Sequence, residues 1–459
     1  YEIASCLVGS EMCIRDSSAA CLFAKTDNHP NAFPTEGNVC FVGDSITHGG
    51  RYVRDIIYFY ATRYPESKIE FYNLGISGDY AEHVNKRMES DILAIKPVVS
   101  TLMIGMNNGN VVHKAGSKEQ AKKVEANRQS YRNAVRSVLD KFAAANCKVI
   151  AFTPSPYDET VKNKAPLLAG KNRELETFAG YIFKESKDRN LKLVDMFGYM
   201  MRINAEIQRD NPSESVAGND RVHPQDMGAF VMAANFISVM NESAVISNLS
   251  IDAAKKSVVE NFNCDVSNLA FDGNTLWFTL LEHSLPFIPT KGGEFADKYT
   301  GFTAAFNKQI LKVSGLAKGD YELSIDGKKV GTYSADALAT GVNLADNKNT
   351  PQYAQSAEVF KAVEAYRSIC GSLREINATE MWWRVEDLKT TEEKIAKIQA
   401  SVKADLPPRH PYIRACAKRY PQQKADQQKT FAKSRELLAQ VYVKAQPIGY
   451  GYVIKRVSK

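Results

Sequence analysis

A chain of 459 residues is longer than one ordinary core sustains, so at least two domains of ~100–200 residues are expected. No apolar run reaches the roughly 18–20 residues that a bilayer crossing needs, which argues against an integral membrane protein. The net charge of +7 is spread over 59 Lys and Arg among 52 Asp and Glu, a pattern of solvated faces that predicts no nucleic-acid partner. The eight cysteines show no CxxC spacing and no Cys/His cluster, so neither a zinc module nor a dense disulfide framework is expected.

In chain order, residues 1–37 are set aside from the fold. YEIASCLVGSEMCIRDS has neither helical nor strand period and resembles translated adapter sequence. The stretch that follows, with Cys21, resembles the remnant of a signal peptide or lipoprotein site, from which a secreted or periplasmic location is expected. From 38 to 244, short apolar runs (NVCFVG, IEFYNLG, VVSTLMIG, CKVIAF, LKLVDMF) alternate with longer amphipathic stretches such as RYVRDIIYFYATRY. That alternation predicts a doubly wound parallel sheet between two helical layers, an α/β/α domain of about 200 residues. The clusters GDSITHGG, GISGDYAEH and GMNNGN each follow a predicted strand, at the end where such sheets bind ligands.

Residues 245–350 read as a small β-rich unit, in which Asp326-Gly327 marks a hairpin turn. Residues 351–459 read as a helical region of two or three long helices, around 359–388 and 414–443, broken at LPPRHP and followed by a strand-like GYGYVIKRVS. The apolar faces of these helices are expected to pack on the β-rich unit or on a second subunit. For Trp277, Phe278, Trp382 and Trp383, core packing is the preferred reading over a sugar-stacking platform.

The strand VCFV runs through Gly43-Asp44-Ser45 into a helix, which puts Ser45 at the head of the sheet. By itself the tripeptide reads first as a helix N-cap serine. A serine hydroxyl needs a neighbouring base to attack near neutral pH. Of the seven histidines, His223 stands out because Asp220 precedes it by three residues in DRVHPQDMGAF, a spacing that lets a carboxylate orient an imidazole. Alone, such a spacing also describes a plain loop arrangement. Acyl transfer further needs donors for the oxyanion, and Gly78 in NLGISGD and Asn107 in GMNN are the candidates.

Taken together, GDS, N-x-G-x-S-G-D, G-x-N and D-x-x-H-P, in that order, resemble the four blocks of the SGNH or GDSL-type serine hydrolases. The resemblance covers about residues 38–240 and implies a flavodoxin-like domain. It also implies Ser45 as nucleophile, Asp220 and His223 as its partners, and the Ser45 N–H, Gly78 and Asn107 as oxyanion donors. Asp44, His48 and Asn108 are further cleft candidates. Two departures are GDSI for GDSL, and Asn108 where the family usually carries an acidic residue. No cofactor or metal motif is present in the sequence, and none is expected. The expected substrate is an O-acetylated carbohydrate or another short-chain ester. A lipase or phospholipase of the same mechanism, and a scaffold with a vestigial site, are the alternatives. The first predicts an apolar lid or patch near His48 and 110–116, but VVHKAGSKEQ is mostly polar; the second predicts a missing triad residue, and all three are present.

Overall fold

The computed structural model describes residues 30–112 and 117–457. Expectations for residues 1–29, Cys21 among them, and for 113–116 in the candidate lid lie outside the described residues. The first domain opens with strand β1 (Glu36–Gly43), helices α1 (Ser45–Gly49) and α2 (Arg51–Arg63), β2 (Lys68–Asn73) and α3 (Ala81–Lys86). It continues through β3 (Val99–Met103), α4 (Lys118–Ala144), β4 (Lys148–Phe152), α5 (Lys171–Asp188), β5 (Lys192–Val194), α6 (Met196–Asp210) and α7 (Asp226–Val239). The five strands form one sheet in the order β2-β1-β3-β4-β5 with every pair parallel. Helices flank it in two packed groups, α2 with α7 and α3 with α4 and α5. This is the α/β/α fold expected from the alternating pattern, and β3, buried at every residue, shows why its sequence is a continuous apolar run.

Residues 30–37, set apart with the leader in the sequence reading, belong in part to this core. Phe33 is buried and stacks on Phe236 with ring centroids 5.5 Å apart, while Glu242 accepts the backbone N–H groups of Asn31 and Ala32. One aromatic anchor in a short polar stretch has no periodicity to reveal it.

The second region begins with β6 (Val245–Asp252), β7 (Ser257–Phe262), β8 (Cys264–Phe271), β9 (Thr275–Glu282), α8 (Lys291–Thr300) and α9 (Phe302–Phe306). Then come β10 (Lys308–Ser314), β11 (Asp320–Ile325), β12 (Lys328–Ser334), α10 (Ala335–Thr340) and the short β13 (Val342–Asn343). Two sheets enclose a core of their own around Leu249, Phe278, Leu323 and Ile454. The β11–β12 hairpin turns at Asp326 and Gly327, with φ of 48° and 76°, the double positive that a two-residue hairpin loop favours and that Asp-Gly supplies.

Four helices follow where two or three were expected: α11 (Pro351–Trp382), α12 (Thr391–Lys403), α13 (Pro411–Ala425) and α14 (Gln427–Ala445). Thr350 caps α11 with Pro351 in its first turn, and Arg384 at φ 51° ends it short of 388. The last strand, β14 (Gly449–Arg456), runs between β11 and β9. Contrary to the packing expected from sequence, α11 and α14 bury their apolar faces on the first domain. Val359, Val363, Tyr366, Leu438 and Val441 share one core with Phe41 and Phe71. The reason is the exposed edge of β2. Tyr442 donates its hydroxyl to the Ile69 carbonyl at 3.0 Å and Tyr366 donates to that of Phe71, so these helices satisfy the edge that no strand covers. Among the described residues, no helix is long and apolar enough to cross a membrane.

Candidate active site

β1, paired between β2 and β3, delivers Ser45 as the first residue of α1. The cap of that helix is Asp44, whose carboxylate accepts the Ile46 N–H at 3.0 Å. The N-cap reading of Ser45 is thereby corrected, because the neighbouring aspartate does that work and leaves the serine hydroxyl free. Ser45 Oγ lies 2.7 Å from His223 Nε2, and His223 Nδ1 lies 2.6 Å from Asp220 Oδ2. The other oxygen of Asp220 accepts the backbone N–H groups of Val222 and His223. Partial burial pushes the Asp220 carboxyl up, but these hydrogen bonds outweigh it and hold the pKa down to about 2. An ionised Asp220 accepts the Nδ1 proton, which leaves Nε2 as acceptor for the serine hydroxyl.

The loop after β2 packs on α1 at very close range. A Cβ on Gly75 would stand 2.2 Å from the His48 backbone nitrogen, so no side chain fits there. Asn73 ties the same loop to α1, donating to the Thr47 carbonyl at 2.6 Å and accepting the Gly75 N–H at 2.9 Å. Three residues on, Gly78 adopts φ 86°. Neither its N–H nor that of Ser45 has a hydrogen-bond acceptor among the described residues. Asn107 donates one amide hydrogen to the Asp79 carbonyl at 2.8 Å, which sets its side chain beside this loop with a second hydrogen to spare.

The three cleft candidates sit deeper than expected. Asp44 is buried, which raises its pKa to about 6 against the lowering effect of the Ile46 N–H, His223 and Lys171. Asn108 is fully buried, accepting the Ala81 N–H at 3.1 Å and donating to Glu82, so it braces α3 and lines no cleft. His48 is likewise buried. Its Nδ1 accepts the Ser77 N–H at 3.2 Å, so Nε2 carries the proton toward the Gly371 carbonyl 3.3 Å away in α11. Burial, then the Arg374 charge, lowers its pKa to about 4 and keeps it neutral.

Sequence reasoning passed over three residues here. Lys171, buried at the start of α5, donates to Asn110 at 2.8 Å and interacts with both Asp44 and Asp220. Burial lowers its pKa to about 8. Arg221, inside the D-x-x-H turn at φ 71°, donates to the Asp158 and Ala165 carbonyls and so fixes the turn to the loop after β4. Trp382 donates to the Ser77 carbonyl at 2.8 Å. Only the arginine had a visible signal, its place between Asp220 and His223. Of the four aromatics assigned to cores, Phe278 and Trp383 are buried, but Trp277 is 38 % exposed on the β-rich unit and Trp382 lies against the Gly78 loop. No group of three or more His, Cys, Asp or Glu suited to a metal ion occurs among the described residues.

Residues 39–236 match the family model described as GDSL-like Lipase/Acylhydrolase. An acetylxylan esterase of Geobacillus stearothermophilus is 24 % identical over 212 residues, which span 43 % of this chain and 90 % of that enzyme. Among solved structures, a gut microbial diltiazem-metabolizing enzyme is similar over nearly the whole molecule. It has 27 % identity and a TM-score of 0.84, covering 92 % of this chain and 98 % of that one. The acetyl xylan esterase AlAXEase, 25 % identical, matches 44 % of this chain and 98 % of its own with a TM-score of 0.37.

Proposed function

As residues 39–236 belong to the GDSL-like lipases and acylhydrolases, which makes the protein a carboxylic-ester hydrolase, we propose that it works through a Ser45 acyl-enzyme on short-chain, chiefly acetyl, esters. The observation that carries this reading is the unbroken hydrogen-bond chain from Ser45 Oγ through His223 to Asp220, at 2.7 and 2.6 Å. As Ser45 attacks the ester carbonyl, His223 Nε2 takes its proton, and the Asp220 carboxylate orients and stabilises the imidazolium. The carbonyl oxygen becomes an oxyanion that accepts hydrogen bonds from the Ser45 and Gly78 N–H groups and the spare Asn107 amide hydrogen. Each well-placed donor contributes ~3–4 kcal/mol. His223 returns its proton to the leaving alcohol, then activates the water that frees the carboxylic acid.

The acetyl preference is supported by the likeness of the first domain to an acetylxylan esterase. The test compares the chain from residue 30 onward with its Ser45→Ala variant on p-nitrophenyl acetate, acetylated xylo-oligosaccharides, diltiazem and a long-chain p-nitrophenyl ester. We expect hydrolysis of acetates that Ser45→Ala lowers by at least about 10³-fold with folding retained. Turnover that survives the substitution would refute the nucleophile, and a preference for the long chain would refute the acyl specificity.

A further inference from the structure

One face of α11 lies along the loop that carries Gly78. Arg367 donates to the Gly49 carbonyl at 2.8 Å, and the Gly371 carbonyl receives His48. Arg374 reaches the Leu74 and Gly75 carbonyls at 3.4 Å while paired with Asp91 at 2.7 Å. Trp382 donates its indole N–H to the Ser77 carbonyl at 2.8 Å. The steps of three to four residues, or multiples of them, put all of these on one stripe of the helix. From Arg367 to Trp382 that stripe runs about 22 Å.

The peptide whose carbonyl Trp382 holds is the Ser77–Gly78 peptide, so its nitrogen is the Gly78 N–H donor. Carbonyl and N–H of one planar peptide point in opposite directions. A bond that fixes the carbonyl therefore aims the N–H. A Cβ on Gly78 would lie 3.5 Å from the indole nitrogen, so the ring abuts this peptide directly. On the other side, His48 accepts the Ser77 N–H and faces the Ser77 hydroxyl at 2.9 Å. The ring of Tyr412 stands edge-on to Trp382 at 5.9 Å and backs it.

We propose that Trp382 is a positioning residue for the oxyanion-binding Gly78 N–H, so that the helical region outside the hydrolase domain completes the active site. This inference rests on the Ser45 acyl-enzyme reading above. The Ser77–Gly78 peptide makes no backbone hydrogen bond among the described residues, and the only side chain donating to its carbonyl there comes from α11.

The test uses Trp382→Phe, which removes the N–H and keeps a ring, Trp382→His, which keeps a ring N–H, and Trp277→Phe as a control distant in the β-rich unit. Kinetics on p-nitrophenyl acetate are paired with inhibition by trifluoroacetone, whose serine adduct carries an oxyanion. Trp382→Phe should lower kcat about 10- to 100-fold with KM nearly unchanged, and weaken trifluoroacetone in parallel. Trp382→His should recover part of both, and Trp277→Phe should match the unsubstituted chain. An unchanged kcat in Trp382→Phe, or a raised KM at constant kcat, overturns the inference while leaving the hydrolase reading intact. If Trp382→Phe does not fold, Trp382→His decides. Inhibition and kcat reduced together support the inference; both unchanged, or loss of one without the other, overturns it. Absence of Ser45-dependent turnover in the unsubstituted chain would instead overturn the underlying reading.

Discussion

Asp44 shows how the residues around Ser45 divide their labour. Its carboxylate caps α1, so Ser45 beside it keeps its hydroxyl for His223. The cost of that cap is a buried acid, whose folded pKa is raised from 3.8 to about 6. Below the unfolded value the acid is neutral in both states, and burial then costs nothing electrostatic. As pH rises toward the folded value the unfolded chain loses its proton first, so stability falls through that window by about 3 kcal/mol and stays lower above it. Asn caps helices as well as Asp does and does not titrate. Asp44→Asn should therefore gain stability over the unsubstituted chain on going from pH 4 to pH 8, as read by urea denaturation at the two values, and a difference that does not grow with pH would contradict the assignment.

At the scale of elements, the site is built where the connections after β1, β2 and β3 meet the α6–α7 loop that carries Asp220 and His223. The β2–α3 loop is the tightest of these, because Gly75 lies against the α1 backbone and its neighbours hang from His48 and α11. Gly75→Ala must push backbone from backbone, so it should cost about 2 kcal/mol or more and lower kcat as the Gly78 N–H shifts. A thermal melt with parallel ester kinetics measures both, and an alanine tolerated without loss of either would mean that the loop is free to move. The edge of β2 obeys a related logic. Its outward carbonyls are met by tyrosine hydroxyls from α11 and α14, an arrangement that ends the sheet without another strand.

For the whole molecule, the hydrolase fold and the helical region cannot be cut apart cleanly. The core around Phe41 and Phe71 also contains Val359, Val363, Tyr366, Leu438 and Val441, while the β-rich unit keeps a separate core that includes Ile454 from the last strand. Buried Glu282 joins that unit to α11 by accepting from Gln352 at 2.6 Å. A chain truncated after residue 244 would expose the β2 edge and the apolar side of α2. We expect it to aggregate or bind a hydrophobic dye and to lose ester turnover, whereas a monomeric, active fragment would show that the helices are accessory. The structural match to the diltiazem-metabolizing enzyme extends over 92 % of the chain, which fits an architecture inherited as one piece.

The five strands and their parallel sense were legible from the sequence, as were the strand-end clusters that carry the candidates Ser45, Gly78 and Asn107 and the spacing that pairs Asp220 with His223. Strand-end polar clusters and apolar periodicity are local signals, and a topology built from repeated β–α units leaves few ways to arrange them. The Asp326-Gly327 turn was legible for the same reason, since a local backbone requirement selects local residue types. Trp382, Lys171 and the contacts by which His48 joins Ser77 to α11 were not, because each depends on residues far away in the chain. Trp382 lies 305 positions from its partner Ser77, and Gly371 lies 323 from His48. Nothing in an amphipathic helix says which surface will bury it. Only the tertiary structure decided that α11 covers the open edge of the sheet, because the competing surfaces are all apolar and differ only in shape and in the carbonyls left to satisfy.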